Sequence, residues 1–189
     1  MPNVDAPLTR TSTGRAPHIV LIGLPGAGKT VCGELLAGRL GRPFLDLDIA
    51  IERTERRTIT EIFADFGEAH FRDLETEATL GMADLPPSVI SPGGGWIERE
   101  ANRELARATC RMVYLRVSPA TALQRLEGQT ATRPLLAGAD AEAKTTAIFT
   151  RRRPLYEAAD AMLDTEVLSP SEVVDQLVRL ALRWGGPVG

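Results

Sequence analysis

The chain is poor in cysteine, in long apolar runs and in charge of a single sign, and each shortage excludes something. Two of its 189 residues are cysteine, Cys32 and Cys110. They lie far apart, with no partner at metal-ligand spacing, so a disulfide framework or a thiolate zinc site is not expected. Both read as reduced core residues of a cytosolic protein. No stretch approaches the roughly 20 apolar residues that cross a bilayer, and no apolar segment of signal-peptide length opens the chain. The expectation is a soluble, cytoplasmic protein with no membrane partner. The 22 Lys and Arg are interspersed with 25 Asp and Glu, for a formal net charge of −3. No polybasic footprint for nucleic acid results, and any anion site must be local. No internal repeat is present either.

What is present suits one folded domain. Apolar residues make up 43% and charged residues 25%, ordinary values for a soluble globular chain. The length allows one well-cored domain and is short for two. Residues 1–17, rich in Thr, Pro, Ser and Arg without a period, read as a disordered leader, and Asp5 argues against an organellar targeting segment. Residues 18–189 form the domain.

Strand and helix patterns alternate along it. Apolar runs at His18–Ile22, Pro43–Leu47, Ser88–Ser91, Arg111–Val117 and Ala161–Asp164 read as five strands. Helical spacing follows Thr30, occupies Ile49–Leu80 as two patterns around Phe66 and Gly67, and recurs at Arg99–Arg107, Pro119–Leu126 behind a Ser118 cap, Ala141–Ala158 and Ser169–Trp184. Gly128–Asp140, with Arg133-Pro134 inside it, reads as a long loop of the kind that serves as a mobile lid. Such alternation predicts an α/β fold with a parallel sheet between helix layers, whose ligands bind beyond the strand C-termini. Three unusual segments, GLPGAGKT, DLD and SPGGG, all fall at such ends.

Gly23, Gly28, Lys29 and Thr30 satisfy G-x-x-x-x-G-K-[ST] without a mismatch, between a strand and a helix. Backbone N–H groups from Gly26, Ala27 and Gly28 through Val31 are expected to wrap the phosphates of ATP at the positive end of the helix. Lys29 would set its charge on the β and γ phosphates, and the Thr30 hydroxyl would ligate Mg²⁺. No Asn-Lys-x-Asp guanine reader occurs, and the chain lacks room for ring-assembly elements. A small-molecule kinase remains.

Asp46 and Asp48 flank Leu47 at the second strand's end, so strand alternation predicts both carboxylates on one face. One could hold Mg²⁺ through water and the other accept the proton of an attacking hydroxyl; the alternative for Asp48 is helix capping. Arg72 and Glu75 lie three apart on one helical face, where the carboxylate can steer the guanidinium. Arg72 with Arg153, which precedes Pro154, would suit bidentate capture of a carboxylate. Arg151 and Arg152 read as an ordinary basic helix face.

The segments GLPGAGKT, FLDLDIAIE, EIFADFGEAHFR, ISPGGG, TRPLLAG and RRRPLYEAA, in this order and spacing, resemble shikimate kinase from about His18 to Trp184. The resemblance implies a nucleoside monophosphate kinase-like fold, three α/β/α layers around a five-stranded parallel sheet. It implies a shikimate-binding segment near residues 46–80, a lid near 127–138, and ATP, Mg²⁺ and shikimate as ligands of a monomer. Its shikimate contacts fall on Asp48, Arg72, Gly94 and Arg153, with Gly93 and Gly95 shaping the same loop. Its Mg²⁺ residues fall on Thr30 and, through water, Asp46. The lid arginine falls on Arg133 and, allowing a one-residue gap, the adenine-stacking arginine on Arg125. Asp48, Lys29 and Arg133 would then carry the transfer. This chain departs from the pattern at Trp96, Ile97 and Glu98, where small residues are expected and where a tryptophan would crowd the acceptor pocket. It departs again in GQTATRPLL, with no second basic residue just before Arg133, and in TEVLSP, with no polar or basic side chain for adenine. Two alternatives remain: a kinase for another small acceptor such as gluconate, or a ligand-sensing module without turnover. The intact set of Lys29, Thr30, Asp46, Asp48 and Arg133 argues against the second.

Overall fold

Strand β1 (His18–Ile22) is buried along its whole length, as a strand must be when parallel neighbours flank it and helices cover both faces. The computed structural model describes residues 15–126 and 141–185; the expected lid at 127–138, Arg133 within it, and residues 1–14 lie outside. Five strands form one parallel sheet in the order β2-β3-β1-β4-β5. The others are β2 (Phe44–Asp46), β3 (Val89–Ser91), β4 (Cys110–Arg116) and β5 (Ala161–Asp164).

The connections set the layers. From β1 to β2 the chain travels one way along the sheet, and every later crossover travels the other way. Right-handed crossovers therefore place α1 (Lys29–Leu40) on one face and the helices joining the later strands on the opposite one. Those are α2 (Leu47–Glu55), α3 (Ile59–Gly81), α4 (Glu100–Thr109), α5 (Pro119–Arg125) and α6 (Ala141–Glu157), while α7 (Pro170–Arg183) returns to pack on α1. Because β1 is where the direction of travel reverses, the crevice beyond its C-terminus is the place for a ligand.

Local signals explain most boundaries. Ser118 caps α5 by accepting the Thr121 N–H, Ser169 forms a capping box with Glu172 at α7, and Thr58 does the same with Glu61 at α3. The two helical patterns expected around Phe66 and Gly67 are the halves of α3, kinked at Gly67 (φ 82°, ψ 171°). Both cysteines are buried and form no disulfide with one another, and burial pushes the Cys32 thiol above its ordinary pKa.

Residues 15–17 touch the body, Arg15 donating to the Leu85 carbonyl and Arg42 to the Pro17 carbonyl. One expectation needs correction. Strand β2 stops at Asp46: helix α2 opens at Leu47, with Asp46 as its cap, accepting the Asp48 and Ile49 N–H groups. Asp46 and Asp48 are thus a cap and a first-turn residue, so strand alternation does not govern them and they point to different partners.

Candidate functional site

The loop from Gly23 to Gly28 leaves β1 and turns into α1. At Gly26 the backbone has φ 85°, and a Cβ there would lie 2.3 Å from the Ala122 carbonyl oxygen of α5. Only glycine fits so close an approach in that conformation. The loop, α5 and the start of α7 enclose a cavity of about 530 Å³, lined by Pro25, Gly26, Ala27, Gly28, Lys29, Thr30, Val31 and Cys32. Arg125, Leu126, Thr165, Leu168, Pro170 and Val173 complete the wall. Its polar end is the N-terminus of α1, which has no side-chain cap and attracts phosphate, and its other end is apolar, as a base requires. The Lys29 ammonium donates to the Gly23 and Leu24 carbonyls at 3.1 Å each, folded over the loop it would serve.

At the mouth of this loop the Thr30 hydroxyl donates to Asp46 Oδ2 at 3.2 Å. A hydroxyl and a carboxylate at one spot form an all-oxygen donor pair that suits a hard divalent cation retaining several waters. The donor set expected for Mg²⁺ is therefore brought together.

Next to the nucleotide loop lies a cluster of charged side chains gathered by Gly93, Gly94 and Gly95. A Cβ on Gly93 would stand 2.5 Å from Asp48 Oδ1 and 3.0 Å from Glu75 Oε1, and one on Gly95 would stand 2.4 Å from the Arg72 guanidinium. One on Gly94 would meet Arg152 Nη1 at 3.1 Å and the Pro25 ring at 3.4 Å. Since Pro25 also lines the cavity, the two halves of the site share a wall. Arg72 is held by Glu75 at 2.8 Å and Glu68 at 2.7 Å, as their helical spacing predicts. Glu75 is fully buried, and its Oε1 has no hydrogen-bond partner among the described residues. Burial pushes its carboxyl up to about 7, against the pull of Arg72 and with a further push from Asp48.

Arg153 does not belong to this cluster. Its side chain is 59% exposed and pairs with Glu157 one turn on. Arg152, read from sequence as part of a basic surface, is 2% exposed and pairs through Nε with Glu98, which also holds Arg151 at 2.9 Å. The signal lay in the period of α6: Thr145, Arg152 and Tyr156 are its buried positions, four and seven residues apart, so Arg152 sits on the inward face. Tyr156 reinforces the placement by donating to the Gly94 carbonyl at 3.4 Å.

Trp96 does not crowd the acceptor cluster. It is wholly buried in the core, its indole N–H donates to Thr79 at 2.7 Å, and Asn102 donates to its carbonyl. Two departures thus become structural parts: Trp96 anchors the glycine loop on α3, and Glu98 anchors Arg152. Sequence reasoning also missed Thr165, Leu168 and Pro170 in the cavity wall, since TEVLSP has no motif and offers no polar or basic side chain of the expected kind. Arg133 lies outside the described residues.

Relatives and solved structures match the chain over most of its length. The family model described as shikimate kinase matches residues 25–181. A shikimate kinase of Rhodococcus jostii (strain RHA1) is 44% identical over 164 residues, covering 86% of this chain and 96% of that protein. One from Thermodesulfovibrio yellowstonii is 40% identical, covering 86% and 93%. Among solved structures, a shikimate kinase from Acinetobacter baumannii in complex with shikimate superposes with a TM-score of 0.84 at 36% identity, covering 88% of this chain and 93% of that one.

Proposed function

The chain belongs to the shikimate kinase family, and from that premise we propose how its own residues move the γ-phosphoryl of ATP to the 3-hydroxyl of shikimate. The products are ADP and shikimate 3-phosphate, on the route to chorismate and the aromatic amino acids. The observation that carries the residue assignment is the shared wall: Gly94 abuts both Arg152 and Pro25, so an acceptor held by the charged cluster lies beside the phosphate end of the cavity.

Arg72 and Arg152 capture the carboxylate of shikimate, the two guanidinium groups being fixed from behind by Glu75 and Glu98. Asp48, on the first turn of α2 and next to Gly93, orients the 3-hydroxyl and accepts its proton. Main-chain N–H groups from Gly26 to Val31 hold the phosphates, and Arg125 flanks the base. Lys29 leaves the carbonyls of Gly23 and Leu24 to meet the β and γ oxygens. Thr30 and Asp46 would hold Mg²⁺, which would supply neutralising charge to the transferring group. Arg133, carried by the segment TRPLLAG, would add positive charge to the transferring group. One chain supplies both halves of the site, which supports action as a monomer. That no described helix is long and apolar enough to cross a membrane, together with two buried cysteines that form no disulfide, supports a cytoplasmic setting.

The test is coupled ADP release with and without shikimate for the parent, Lys29→Met and Asp48→Asn. Shikimate is expected to stimulate release in the parent, and each variant to lose at least about 100-fold in kcat. No stimulation in the parent overturns the reading; full activity in Asp48→Asn removes that residue from the transfer.

A further inference from the structure

Helix α5 is held at both ends by one loop. At its N-terminus the Glu166 carboxylate accepts the Ser118 N–H at 2.8 Å, the Ser118 hydroxyl at 2.8 Å and the Thr121 hydroxyl. At its C-terminus Arg125 donates back to the Thr165 carbonyl at 2.7 Å and the Glu166 carbonyl at 3.4 Å. The loop is itself fixed to the sheet, because Thr165 donates to the Arg116 carbonyl through both its N–H (2.9 Å) and its hydroxyl (3.0 Å). The Glu166 N–H is taken by Asp164 at 2.9 Å.

Two features of the nucleotide cavity depend on where α5 sits. Its Ala122 carbonyl stands where a Cβ on Gly26 would be, so α5 is the surface on which the phosphate loop rests. Its Arg125 lines the cavity together with Thr165. Ser118, Thr121 and Glu166 do not line the cavity, so the Glu166 carboxylate acts on a nucleotide at second hand, through the position of α5 against the loop that carries Thr165. Three donors converging on one carboxylate are more than a helix cap needs, since Ser118 already caps α5 on its own by accepting the Thr121 N–H. The same hydrogen bonds, that of Thr121 first, hold the Glu166 carboxyl below the usual range and keep it ionised at neutral pH.

We propose that Glu166 is a positioning residue for the nucleotide: it clamps Ser118 and Thr121, and so fixes α5 with Arg125 against the cavity and Ala122 against the phosphate loop. It touches no reacting atom, and its effect is on nucleotide affinity rather than on the transfer. The proposal rests on the reading of the cavity as a nucleotide site.

Mg-ADP affinity by calorimetry, ATP and shikimate KM, kcat and the thermal midpoint are measured for the parent, Glu166→Ala and Glu166→Gln. Glu166→Ala is expected to weaken Mg-ADP about five- to twenty-fold and to raise the ATP KM in step, while the shikimate KM and kcat stay within about two-fold. Glu166→Gln keeps one carbonyl oxygen for the Ser118 N–H and is expected to recover part of the loss. Unchanged Mg-ADP affinity in Glu166→Ala overturns the proposal. So does a joint deterioration of both KM values and kcat with a fallen thermal midpoint, which would make Glu166 a general structural residue. A parent that binds Mg-ADP without shikimate-dependent turnover sinks the acceptor assignment and leaves the clamp to be decided by the affinities. A parent that does not bind Mg-ADP sinks the nucleotide reading and the proposal with it.

Discussion

Arg152 and Arg153 are adjacent in the chain and face opposite surroundings: the first is 2% exposed at the glycine loop, the second 59% exposed and paired with Glu157. A helix turns about 100° per residue, which is enough to carry one guanidinium inward and its neighbour out to water. Glu98 completes the distinction, because it binds the Nε edge of Arg152, while Nη1 of the same group lies toward Gly94.

Substitution separates the two arginines. Arg152→Lys is expected to raise the shikimate KM by about ten-fold or more, the worth of a charge-assisted bond. Arg153→Lys, altering an exposed pair, stays within about two-fold. Steady-state kinetics at saturating ATP check this, and equal effects of the two changes would count against the assignment of Arg152 to the carboxylate.

Glu75 makes stability depend on pH in a stated direction. Its carboxyl titrates near 7 in the fold against an ordinary value of 4.5, so between these pH values the folded state keeps a proton that the unfolded chain has released. This contribution is full below about pH 4.5 and lost as pH rises through 7, on the order of 3 kcal/mol over the whole range. Glu75→Gln cannot titrate. Denaturant unfolding from pH 5 to pH 8 is expected to shift in favour of the variant, relative to the parent, as pH rises; a constant difference would show that Glu75 titrates normally.

Trp96 is a matter of stability, with little bearing on the choice of acceptor. Trp96→Phe removes the N–H that Thr79 accepts and leaves a small void, at an expected loss of about 1–3 kcal/mol. The shikimate KM should remain within about two-fold. Bulkier acceptors turning over faster in this variant would show instead that the indole limits the pocket.

Gly26→Ala combines an unfavourable left-handed backbone with a clash against the Ala122 carbonyl. Strain of about 1–2 kcal/mol from the conformation alone, plus displacement of the loop from α5, predicts at least a ten-fold loss of Mg-ADP affinity. Calorimetry measures it directly. Parent-like affinity would mean that the loop can rest elsewhere than on α5.

Much of this protein was legible along the chain wherever function is written in consecutive residues. The phosphate loop is one such place, since the left-handed glycine at Gly26, the lysine and the hydroxyl of Thr30 each serve a backbone or a phosphate within a few residues. Arg72 and Glu75 are another, because helical spacing alone brings them together. The five parallel strands follow from apolar runs alternating with helices. Asp46 and Asp48 share a face only if strand alternation continues past Asp46, the last residue of β2; the cap that Asp46 makes ends the alternation.

Local pattern could not settle which of three consecutive arginines turns inward, where Trp96 puts its ring, or which residues wall the base. Each depends on segments remote in sequence. Glu98 lies more than fifty residues from Arg152, and Glu166 more than forty from Ser118 and Thr121. The physical reason is the cost of burying charge. An arginine or a carboxylate can leave water only where a partner awaits it, and the partner's position is set by how β3, α5 and α6 meet. The sequence by itself thus determined the chemistry of the phosphate end, while the tertiary structure decided which charges could be buried to face the acceptor.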